Sequence, residues 1–167
     1  MIYFIIIAVL VFGTLIYLGN KKYKGRDVGY VVDKNYVRVP ATMTKIEQEL
    51  LTLINAHRKS INVNEISKTD SFVRRLAEGH CKYMIEVGEA SHDNFPERTL
   101  SVKTIGVKFV GEVVAYGYST AKGILNGYLN SPSHKKIIEM SGLNHIGIRI
   151  MKDNNGRYYN AIIFYKK

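Results

Sequence analysis

The sequence predicts an α+β fold: an α-β-α sandwich with a small, mainly antiparallel sheet between helices, preceded by one N-terminal transmembrane helix. Three observations carry this. Ile2 to Leu18 is an uncharged, almost wholly apolar run. From Thr42 to Gly88 apolar side chains recur at helical spacing. From Ile146 they alternate with other residues on the approach to Asp153-Asn154-Asn155-Gly156, a strong hairpin turn, and a return strand follows it.

At 167 residues the chain suits one domain plus an appendage. We divide it into an anchor or signal (1–20), a linker (21–43) and a globular domain (44–167). One cysteine, Cys81, excludes an internal disulfide framework and a multi-cysteine metal knuckle. The net charge of +10 invites a nucleic-acid reading. Six basic residues against Asp27 and Asp33 give residues 21–39 a net of +4, which leaves +6 for residues 44–167. The basic residues of that part are scattered and no motif sets them in a groove, so no nucleic-acid partner is expected.

Ile2 to Leu18 reaches the lower limit for a helix crossing a ~30 Å hydrocarbon core. A cleaved signal peptide is the competing reading, but no basic residue precedes the run and no A-x-A-like site follows it. The membrane is therefore the first expected partner. Lys21, Lys22, Lys24 and Arg26 follow the span directly, and the positive-inside bias would hold that side in the cytoplasm. In the linker, Gly25, Gly29 and Pro40 interrupt short alternating patches.

Thr42 or Thr44 caps the first helix, with Glu47 and Glu49 in or near its first turns and a stripe of Ile46, Leu50, Leu53, Ile54 and Ile61. Asp70 or Ser71 caps the second. Its stripe is Phe72, Val73, Leu76, Ala77, His80, Met84 and Val87, ending at Gly88. A loop runs through His92 to Pro96, followed by a short segment over 97–105. Val110 to Tyr118 reads as a strand. Ser119 or Thr120 caps a third helix reaching Asn130, in which Gly123 and Gly127 permit close approach to a neighbouring layer. Ser131-Pro132 starts another helix, a hydroxyl N-cap before proline. Ile146, Ile148 and Ile150 predict a strand with one buried face.

His92, Glu112 and His134 are the candidate site. Imidazole and carboxylate suit zinc or another divalent metal, and three protein ligands with an open fourth position would activate water. His134 falls in the first turn of a helix, where the dipole favours the neutral ring. The bland alternative is a buried hydrogen-bond network that orders loops. Ser131 could face the same cleft, although N-capping already explains it. His80 lies on an apolar stripe and reads as a core histidine. His57 and His145 read as structural, His145 holding its strand near the helix after His134. Cys81, on the second helix, reads as a buried and inert thiol.

The ordered set Leu51–Arg58, Leu76-Ala77 with His80 and Met84, Ser91-His92, Gly111-Glu112, Asn130–Lys135, Asn144–Ile148 and Ile163-Phe164 resembles the CAP superfamily in its bacterial SCP-like form. Cysteine-rich secretory proteins, venom allergens and plant pathogenesis-related proteins are relatives. The resemblance implies an α-β-α sandwich outside the cytoplasm, against the Lys/Arg bias. It also implies a cleft with two histidines and one or two acids that binds a divalent ion in some members. His92, Glu112 and His134 match both histidines and the first acid; no second acid is matched. Three positions depart: Val113 stands for the family's asparagine, Tyr128 for a tryptophan, and Ile162-Ile163 where a glutamine is usual. The resemblance leaves three functions open: an extracytoplasmic, membrane-tethered binding module for a lipid, glycan or protein ligand; a metal-assisted hydrolase using His92, Glu112 and His134; and a structural domain with a vestigial cleft. The lost asparagine tilts the balance toward binding.

Overall fold

The structure, a computed structural model, describes residues 42–167. The expected anchor and nearly all of the expected linker lie outside the described residues. Among the described residues no helix is long and apolar enough to cross a membrane.

Helix α1 (Lys45–Ser60) begins where Thr44 and Glu47 form a reciprocal capping box: Glu47 N donates to Thr44 Oγ1 at 3.4 Å and Thr44 N to Glu47 Oε2 at 2.9 Å. Glu47 does more than cap. Its carboxylate is fully buried and accepts from Arg74 Nη2, Arg149 Nη1 and the Ile150 N–H, which ties the helix start to two other elements. Ile61, expected on the buried stripe, is the exposed C-cap residue.

Strand β1 (Lys68–Thr69) went unread because two residues carry no alternation. Helix α2 (Ser71–Val87) is capped by Asp70, whose carboxylate accepts from Phe72 N and Val73 N. Gly88, at φ +79°, closes it by donating to Met84 O. Val87 is exposed, so the buried stripe stops at Met84. Helix α3 (Phe95–Lys103) contains Pro96 in its first turn, a position where the missing N–H costs nothing. The proline assigned to a loop therefore starts a helix.

Strand β2 (Phe109–Tyr116) leads to helix α4 (Ala121–Leu129), capped by Thr120 accepting from Gly123 N at 3.0 Å. Helix α5 (Pro132–Ile138) begins at Ser131, which makes no capping hydrogen bond; Ser131 Oγ pairs with Ser133 Oγ at 3.2 Å instead. Buried Arg58 of α1 donates to the carbonyls of Ile138 and Met140, and His57 Nε2 meets Glu139 Oε1 at 2.9 Å, fixing the end of α5. Strands β3 (His145–Lys152) and β4 (Tyr158–Lys166) join through a turn in which Asp153 Oδ1 accepts from Asn155 N and Arg157 N.

The strand order is β1-β3-β4-β2, with β1 parallel to β3 and the other pairs antiparallel. Alternate residues of β4 serve two cores. Ile162 and Phe164 join Leu50, Ile54, Ile124, Leu125 and Ile138 on one face. Ala161, Ile163 and Tyr165 join Val73, Ala77, Met84 and Val102 on the other. Helices therefore cover both faces, and β3 is not a strand with one buried face. Gly147, between Ile146 and Ile148, faces α2: a Cβ there would lie 2.6 Å from Arg74 N.

Candidate functional site

Three segments converge on Glu112 of β2. The side chain is fully buried, so its charge needs partners. Arg98 of α3, itself 1% exposed, supplies a two-pronged one: Nε donates to Oε2 and Nη2 to Oε1, each at 2.7 Å. His92, in the loop between α2 and α3, places Nδ1 3.0 Å from Oε1. His80 of α2 lies behind, its Nε2 3.8 Å from Oε1.

His134, in the first turn of α5, meets His92 from the other side. Their rings stand 5.7 Å apart, with Nε2 to Nε2 at 3.5 Å. The Tyr128 and His134 rings stand nearly perpendicular with centroids 5.4 Å apart, and the Phe95 and His92 rings meet at 65° with centroids 6.4 Å apart. The Tyr128 hydroxyl donates to Asn160 Oδ1 inside the core. The structure thus brings His92, Glu112 and His134 together, and adds Arg98, His80 and Tyr128.

Burial alone would raise the Glu112 carboxyl, but the bonds from His92 and Arg98 and the guanidinium charge outweigh it and hold it at about 2. Burial lowers His134 to about 4, with the nearby His92 adding to the effect. Desolvation and the second imidazole, rather than the helix dipole alone, keep this ring neutral. His80 is lowered to about 4 by burial, against the pull of Glu112. Its Nε2 lies 2.7 Å from Ser91 O, an acceptor, so Nε2 carries the proton. Nδ1 is then an unprotonated nitrogen, buried without a partner among the described residues.

These shifts set an acid limit on stability. In the fold His80 and His134 take up a proton near pH 4, against about 6.5 in an unfolded chain. The unfolded chain therefore binds more protons between those values, and stability falls as pH drops from about 6.5 to about 4. His80 alone should contribute a loss of about 3 kcal/mol over that window. The lowered Glu112 contributes stability that is present above its ordinary value and lost as pH falls through about 2. Urea midpoints measured at pH 7 and pH 4 should differ accordingly, and equal midpoints would contradict neutral buried imidazoles.

Both oxygens of Glu112 are engaged by protein donors, Oε1 by His92 and Arg98 and Oε2 by Arg98. Ser131, freed from capping, is half-buried one turn start away from His134. Cys81 is fully buried, which pushes its thiol up and leaves it inert. His145 stacks on Tyr165 at 4.4 Å rather than reaching toward α5. Both line a concavity with Lys68, Asp70 and Lys167 that includes no residue of the imidazole pair.

Sequence reasoning missed Arg98. The signal available was Glu112 itself: an acid in a β-branched strand has to be neutralised by something.

The family model described as the cysteine-rich secretory protein family (CAP) matches residues 51–165. Three solved structures share the fold. An outer surface protein from Borrelia burgdorferi is 23% identical with a TM-score of 0.65, covering 75% of this chain and 96% of that one. An extracellular protein containing an SCP domain from Bacillus anthracis is 25% identical with a TM-score of 0.62, covering 72% of this chain and 40% of that one. A cysteine-rich secretory protein from Staphylococcus aureus is 19% identical with a TM-score of 0.63, covering 79% of this chain and 42% of that one. The chain thus spans less than half the length of the latter two. No curated protein matches it.

Proposed function

Because the chain belongs to the cysteine-rich secretory protein (CAP) family, we propose that it is an extracytoplasmic binding module, tethered to the membrane through residues 1–20, whose His92–His134 cleft takes a glycan. Two proteins of the same fold, one an outer surface protein and one extracellular, support the placement outside the cytoplasm. One observation carries the binding reading. Glu112, the acid a hydrolase would need as base or ligand, has both oxygens engaged by Arg98 and His92.

What remains part-exposed at the site is a pair of ring nitrogens 3.5 Å apart, with the Phe95 ring beside His92 and the buried Tyr128 ring backing His134. The Glu112 charge is already balanced by Arg98, so the cleft asks for an uncharged, hydroxylated ligand. Imidazole nitrogens accept from or donate to hydroxyls, and the part-exposed ring of Phe95 offers a face to the apolar side of a sugar ring.

Calorimetry on the full chain in detergent, with soluble peptidoglycan fragments as probe, tests this. Heat should appear, and His134→Ala should weaken binding by about tenfold, the worth of one good hydrogen bond. No heat, or wild-type affinity retained in both His92→Ala and His134→Ala, would overturn the proposal. Heat with short-chain phospholipid alone would reassign the cleft to a lipid head group, and heat with neither would leave a protein ligand.

The Nε2 spacing favours a second reading. Two imidazoles on one tetrahedral zinc, with Zn–N of ~2.0–2.1 Å, hold their nitrogens about 3.3–3.4 Å apart. His92 Nε2 and His134 Nε2 fit that spacing, and Glu112 would act from behind by orienting His92. A zinc ion held there would supply an activated water. Zinc titrated in the same calorimeter decides this reading, and no heat at neutral pH removes it.

A further inference from the structure

We infer that Arg98 is a positioning residue of this site: through Glu112 and the Asp93 carbonyl it fixes the loop carrying His92 and the tautomer of His92, so that Nε2 presents its lone pair to the cleft. The inference rests on the reading of the imidazole pair as ligand-facing.

The geometry points to it from both sides of His92. Preceding it, Ser91 O accepts from His80 Nε2 at 2.7 Å. Following it, Asp93 O accepts from Arg98 Nη1 at 2.7 Å. The next residue, Asn94, turns through φ +58°, a left-handed conformation that asparagine tolerates better than most, and its carbonyl accepts from Arg98 N at 3.2 Å. One guanidinium therefore spends three of its donors on this task, two on the Glu112 oxygens and one on the loop. Lysine could supply the charge, but not a fork that spans two oxygens and a carbonyl.

The tautomer follows from donor and acceptor roles. Glu112, ionised against Arg98, can only accept. The contact at 3.0 Å therefore puts the His92 proton on Nδ1, which leaves Nε2 unprotonated and facing His134 Nε2. With the fork in place the carboxylate cannot rotate away, so the imidazole has one orientation and one tautomer. His80 faces the same carboxylate without bonding it, because its proton is given to Ser91 O.

Histidine side-chain NMR of the ¹⁵N-labelled full chain in detergent tests this at about pH 8, where free imidazole is neutral. Wild type should show His92 with a protonated Nδ1 and a bare Nε2. Arg98→Lys should replace that signature with an average of the two tautomers. Glu112→Gln should reverse it, since Arg98 would draw the amide oxygen and leave the NH₂ facing His92 Nδ1. The proposal is overturned by a wild-type His92 protonated on Nε2. It is equally overturned if Arg98→Lys lowers the melting temperature while leaving the signature unchanged. Should Arg98→Lys fail to fold, an unchanged tautomer in Glu112→Gln still overturns it. None of these readings requires a ligand, so they stand or fall separately from the calorimetry.

Discussion

Arg98→Met should cost the fold about 3–5 kcal/mol, the scale of breaking a buried ion pair by removing one partner. Glu112 would keep only the His92 bond, with its carboxylate still wholly inside the protein. The carboxyl can then stay charged at a desolvation cost or take up a proton, and either route penalises the folded state. Urea titration at neutral pH measures the loss. The double replacement Arg98→Met with Glu112→Leu should recover most of it, because an apolar pair of similar volume leaves no orphaned charge. A loss below 1 kcal/mol for the single variant would mean that the pair is solvated and the site is not built as described.

Gly147→Ala should be about as damaging, at or above the ~1–3 kcal/mol usual for overpacking. The added methyl would meet Arg74 N and Val73 C, both at 2.6 Å and both backbone atoms of α2. The helix cannot back away: Asp70 N donates to Ile146 O at 2.9 Å and Arg74 Nε to Ile148 O at 3.3 Å, on either side of the glycine. Gly127→Ala is the matched control. Its methyl would meet the far end of the Tyr118 ring at 2.5 Å, but that ring is 39% exposed and can swing out. Urea midpoints should therefore rank Gly147→Ala well below Gly127→Ala. The reverse order would contradict the packing of α2 on the sheet.

The fold was legible wherever a residue's local chemistry agreed with its tertiary role. Thr44, Asp70 and Thr120 cap their helices, and Asp153 builds its turn, for reasons contained within four residues. Legibility ended where distant partners decide. Val87 looked like a stripe residue, but the neighbouring layer does not reach the last turn of α2. Gly147 and Arg149 read as the open face of β3 because nothing in their sequence announces that α2 covers it.

The site divides along the same line. His92, Glu112 and His134 carried a resemblance and could be named from sequence. Arg98 could not. It shares the buried face of α3 with Val102 while Leu100 is 65% exposed, an inversion of the usual pattern that makes sense only once Glu112 is opposite. Ser131 misled in the other direction, since its position before a proline explained it well and its side chain makes no cap.

The central claim is that His92 and His134 together face the ligand. Histidine side-chain NMR of the full chain in detergent, recorded as soluble peptidoglycan fragments are added, tests it most directly. The account predicts that the Nε2 resonances of His92 and His134 move together and saturate, while those of His57, bonded to Glu139, and His145, stacked on Tyr165, stay in place. Movement of His145 without the pair would put the ligand in the concavity beside Tyr165, and the claim would fail.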